Sequence, residues 1–160
     1  MREELVEPWC RALEGGEYKQ ATGRLQRRNW MDESGDALGK LDSYCCLGVL
    51  CLVAKKMNPE IKLINEFDKT WQPEQTLNGG TLADQPDVLA WSGIRMEELP
   101  TTMLSEEARQ YLMDELQGGM GKIIPEVGAV RVPESLMDAN DLGVPFSVIA
   151  KVIRKYWREL

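Results

Sequence analysis

Between residues 44 and 57 the chain reads Tyr-Cys-Cys-Leu-Gly-Val-Leu-Cys-Leu-Val-Ala-Lys-Lys-Met, uncharged until Lys55 and followed at once by Asn58-Pro59. A segment apolar on every side has to be buried on every side, and a proline disfavours helix at the residue before it. The run therefore predicts a buried helix over 44–57, entered from a short strand at Tyr44, Cys45 and Cys46, around which the remaining chain must pack. It is far shorter than the roughly 20 apolar residues that a membrane-spanning helix needs.

Other segments carry periodicities of their own. Leu5, Trp9, Ala12 and Leu13 recur at helical spacing before Gly15-Gly16, with Pro8 suited to a first turn, so regular helix is expected from Pro8. Residues 17–26 read as one extended segment with a bulge or close approach at Gly23, and residues 32–42 as a polar loop. Ile61 to Ile64 alternates weakly like a strand, and Asn78-Gly79-Gly80 predicts a tight hairpin between 74–77 and 81–83. Ser105-Glu106-Glu107 caps a helix with Ala108, Tyr111, Leu112 and Leu116 on one face, ending near Gly118. Residues 122–132, broken by Pro125 and Gly128, suggest short edge strands. Two helices close the chain, 135–141 and 146–157, the second with Ile149, Val152, Ile153, Tyr156 and Trp157 on one face. The expected fold is α+β, a helix-rich single domain spanning 1–160 with short strands and hairpins around the central helix.

Composition narrows the chemistry. There is no histidine, which excludes Ser-His-Asp and Cys-His catalytic units and HExxH metal sites. Three of the four cysteines (Cys45, Cys46, Cys51) crowd the apolar run and Cys10 stands apart; adjacent cysteines do not form the two separated knuckles of structural zinc, so all four are read as core thiols. Gly118-Gly119-Met120-Gly121-Lys122 lacks the leading glycine and the trailing Ser or Thr of a phosphate-binding P-loop and reads as a helix exit. No catalytic residue, metal ligand or cofactor is expected.

The net charge of −7 argues against general nucleic-acid binding. Its distribution is uneven. Residues 17–30 hold Lys19, Arg24, Arg27 and Arg28 against Glu17, while residues 84–115 hold Asp84, Asp87, Glu97, Glu98, Glu106, Glu107, Asp114 and Glu115 against two arginines. Arginine forks suit phosphate oxygens and aromatic rings stack on bases, so the basic segment with Tyr18, Gln20 and Trp30 suits a nucleotide, against the bland reading of a solvated edge strand. Trp71, in the polar setting Lys69-Thr70, is a further aromatic candidate.

Trp9-x₃-Leu13-x₃-Glu17-Tyr18-x-Gln20-x₂-Gly23-x-Leu25, then the block from Tyr44 to Cys51, then Trp91-Ser92-Gly93-Ile94, then Asn140-Asp141-x-Gly143-x₂-Phe146-x₂-Ile149-Ala150-x₂-Ile153 together resemble a family of small bacteriophage proteins that carries no established activity. Pro145 stands where that family commonly has a small capping residue, and residues 95–132 look like an insertion. The resemblance implies a phage-encoded accessory protein in the host cytoplasm. Expected ligand-binding residues are Tyr18, Lys19, Gln20, Arg24, Arg28, Trp71, Asn140 and Asp141.

The leading expectation is a binding protein, not an enzyme, that counters host defence by sequestering a small nucleotide signal. The alternatives are an acidic inhibitor docking on a host nuclease or defence effector, and a carboxylate enzyme using a divalent metal. The last helix resembles the opening of a helix-turn-helix, but no recognition helix follows it, so neither sequence-specific DNA nor a membrane is expected as partner; self-association stays open.

Overall fold

The computed structural model describes residues 1–23, 25–27, 42–64, 82–94, 103–119 and 132–160. Its elements are α1 (Glu3–Glu14), β1 (Lys19–Gln20), β2 (Gln26–Arg27), β3 (Ser43–Tyr44), α2 (Cys46–Met57), α3 (Pro86–Ser92), α4 (Glu106–Gly119), α5 (Leu136–Asp141) and α6 (Phe146–Tyr156), with a 3₁₀ turn at Leu82–Asp84 before α3. The fold is α+β and rich in helix. No helix among the described residues is long and apolar enough to cross a membrane.

The apolar run forms the buried helix it predicts. Eight residues of α2 are buried, and the helix is capped by Cys45, whose sulfur accepts the Gly48 N–H at 3.4 Å. The helix ends where Asn58 turns extended ahead of Pro59, and Lys55 Nζ donates to the carbonyls of Pro59 and Ile61 at 2.8 and 2.7 Å, closing the exit. Around α2 the buried residues form one cluster that draws Leu5, Trp9 and Leu13 from α1, Leu112 from α4, Leu136 from α5, and Ile149 and Ile153 from α6. Trp9 is fully buried, and its indole N–H is satisfied by the Cys46 carbonyl at 3.0 Å, which ties α1 to the first turn of α2.

Several local expectations are revised. Helix α1 starts at Glu3, five residues before the expected start, with Pro8 inside it. Burial of Leu5 and Val6 draws the first turn into the helix, and the hydrogen bond that Pro8 cannot make would have gone to Glu4, which is exposed to water. The extended segment 17–26 is not one strand but two, β1 and β2, separated by a turn in which Gly23 takes φ +76°. Residues 61–64 form no strand: the Gln85 side chain takes both backbone groups of Ile64, accepting from its N–H at 2.9 Å and donating to its carbonyl at 2.8 Å. Of the hairpin, 82–83 belong to the 3₁₀ turn and 74–81 lie outside the described residues, as do 32–41 of the polar loop and 122–131. Helix α3 was not anticipated, although Pro86 at its start and Gly93 at φ +67° after its end are ordinary boundary signals.

The three strands make one small mixed sheet in the order β1-β3-β2. Lys19 and Gln20 pair in parallel with Ser43 and Tyr44, and Gln26 and Arg27 pair antiparallel with Tyr44 and Ser43. This sheet lies against the start of α2 so closely that a Cβ on Gly48 would fall 1.8 Å from the Leu25 carbonyl oxygen. Glycine is therefore the residue this contact admits, and backbone cannot rotate aside as a side chain can.

On the outer side of α1, Arg154 of α6 grips two carboxylates. Its Nε and Nη2 meet Glu7 at 3.0 and 3.4 Å, while Nη1 and Nη2 both meet Glu14 at 2.6 Å. Hydrogen bonding from Arg154 lowers the pKa of both carboxyls, with Arg11 adding to the effect at Glu7. A carboxylate with a lowered folded-state pKa adds stability that is complete above its unfolded range, near 4.5, and is lost as acid carries the pH down through the folded value.

Two outcomes follow from this packing. Gly48→Ala should lower the unfolding free energy by about 1–3 kcal/mol in urea denaturation, and an unchanged midpoint would mean that Leu25 does not lie against the helix. Arg154→Met should lower the melting temperature at neutral pH, and the difference from wild type should shrink as acid carries the pH below the ordinary carboxylate range. Melting curves that stay parallel across that range would show that the clamp contributes nothing that titrates.

Candidate functional site

Three of the expected ligand-binding residues are brought together, and they bond chiefly to one another and to the chain. Asn140, fully buried on α5, uses its whole carboxamide: Oδ1 accepts from Cys46 N–H at 3.1 Å and from Gln20 Nε2 at 3.3 Å, while Nδ2 donates to the Ala21 carbonyl at 2.7 Å and to Asp141 Oδ1 at 3.2 Å. Gln20 Nε2 also donates to the Val144 carbonyl at 2.8 Å, and Asp141 Oδ1 accepts the Gly23 N–H at 2.8 Å. This network locks the turn between β1 and β2 onto α5 and onto the first amide of α2, one of the helix donors that has no partner within the helix itself. Lys19 is exposed on β1. Arg24, Arg28 and Trp71 lie outside the described residues.

Tyr18 belongs to a different group. Strand register places Gln20, Tyr44 and Gln26 in one row across the sheet, and side chains two residues apart share a face, which adds Tyr18 and Asp42. Tyr18 and Tyr44 meet edge to face, with ring centroids 5.6 Å apart and planes at 88°. Burial, with help from Glu17, pushes the Tyr18 phenol above its ordinary pKa. Gln26 is 2% exposed. Its Nε2 donates to Asp42 Oδ2 at 2.9 Å and lies 3.4 Å from the Tyr44 hydroxyl, which is itself 3.5 Å from Asp42 Oδ2. Among the described residues no donor meets the Gln26 carbonyl oxygen. A carboxylate accepts and cannot donate, so the Asp42 contact identifies the amide end of Gln26 and leaves the carbonyl as its open end.

Sequence reasoning singled out Tyr18 and missed Tyr44, Gln26 and Asp42. Tyr44 was assigned to the core run, and Gln26 was counted only as the end of an extended segment. The row exists only because β3 inserts between β1 and β2, a pairing that no local pattern announces.

The thiols sit apart from this face. All four are free and buried. Burial pushes Cys10 up to about 12 and Cys45 up to about 11, and carries Cys46 and Cys51 well above the ordinary thiol range. Cys10 donates to the Ala150 carbonyl at 3.3 Å and Cys46 to the Leu136 carbonyl at 3.5 Å. These are neutral packing groups, since the thiolate is the reactive form. Among the described residues no three acidic or cysteine side chains gather to hold a metal ion.

Two measurements test this assignment. Asn140→Leu strands the Cys46 N–H and the Ala21 carbonyl without partners, and should cost at least about 2 kcal/mol in urea denaturation, more than an exposed cap would; a loss below about 0.5 kcal/mol would remove Asn140 from the centre of the fold. Ellman's reagent at neutral pH should label no thiol promptly in the native protein and all four in denaturant. Prompt labelling of any one would place that thiol in a reactive setting.

A family model described as a domain of unknown function (DUF8296) matches residues 1–157. No curated protein and no solved structure matches the chain.

Proposed function

The chain belongs to the DUF8296 family, and from that premise we propose that it works by binding a small nucleotide-type ligand on the sheet face formed by Tyr18, Tyr44, Gln26 and Asp42. The observation that carries this reading is the buried Gln26 carboxamide, held at one end by Asp42 and unpaired at its carbonyl, beside two tyrosine rings. Buried polar groups in folded proteins are nearly always paired, and an unpaired one next to aromatic rings suits a planar partner with hydrogen-bonding edges.

The sequestration of a nucleotide signal in a phage-infected host fits this reading, supported by the resemblance to small phage proteins and by a chain without imidazole or ionised thiol to drive turnover. A binder of this kind holds its ligand and releases it unchanged.

Isothermal titration of the folded protein against cyclic and ADP-ribose-type nucleotides should give saturable heat with at least one member. Tyr18→Ala should weaken that binding by about tenfold or more, the usual cost of losing an aromatic partner for a base. No heat with any nucleotide would overturn the proposal.

A further inference from the structure

We draw no further inference here: the strongest candidate, the pair of tyrosine rings where α4 meets α6, with the Lys155 ammonium 3.9 Å from the Tyr111 ring and 5.3 Å from the Tyr156 ring, is filled by a cation of the chain itself, and nothing among the described residues shows what would take its place.

Discussion

The side chain of Asn140 is the point on which the structure turns. A carboxamide offers two acceptor positions and two donors, and here all four are used within the chain, three of them with residues about a hundred positions away and the fourth with the neighbouring Asp141. In the low-dielectric interior each of these bonds is strong, and each would be costly to leave unmade. Asn140 thereby decides where three otherwise weak pieces sit: the turn after β1, the buried first amide of α2, and the short α5. None of these would hold its place by propensity alone. A two-residue strand and a six-residue helix are too short to be stable in isolation.

That dependence explains the spacing of the motif residues. Trp9, Gln20, Gly23, Leu25, Cys46, Gly48, Asn140 and Asp141 lie far apart in sequence, yet each makes a contact that fixes the first turn of α2 or the loop beside it. Gly48 lets the Leu25 backbone approach, Gly23 turns the chain back with a positive φ, and Asp141 receives the Gly23 amide. The motif pattern is thus a description of architecture. Read as a list of ligand contacts, it would mislead, because Gln20 and Asn140 spend their polar groups on the protein itself.

What could be read in advance divides along the same line. The central helix, α4, α5 and α6 were legible because burial writes a period of 3.6 into the sequence and because Ser105, Ser135 and Asn58 mark ends by local hydrogen-bonding chemistry. Ser135 accepts from Asp138 N–H at 3.0 Å as an N-cap should. The misreadings at Pro8 and at 61–64 share another cause: packing outweighed the local signal. Burial of Leu5 and Val6 overrides the proline, and Gln85 replaces a strand partner for Ile64. The sheet row was the least legible feature, since Gln26, Asp42 and Tyr44 become neighbours only after β3 has inserted between β1 and β2. Gln26 is polar in a polar stretch, and only the pairing tells that it is buried.

In the proposed reading the same row joins architecture to function. Gln20, Tyr44 and Gln26 stand side by side across the sheet, with Gln20 anchored to Asn140 at one end and Gln26 open at the other. The anchored end fixes the strand spacing and the orientation of Tyr44, so the aromatic and acceptor groups are held in place before any ligand arrives. Preorganisation of this kind lowers the ordering cost of binding, which otherwise consumes much of the interaction energy of a small ligand. A ligand bound at this row, as proposed, would stabilise the folded chain alone, because the row does not exist in the unfolded one. The residue with an unmet bond and the residue with every bond met are two ends of one device: the second supplies the rigidity that lets the first remain unpaired.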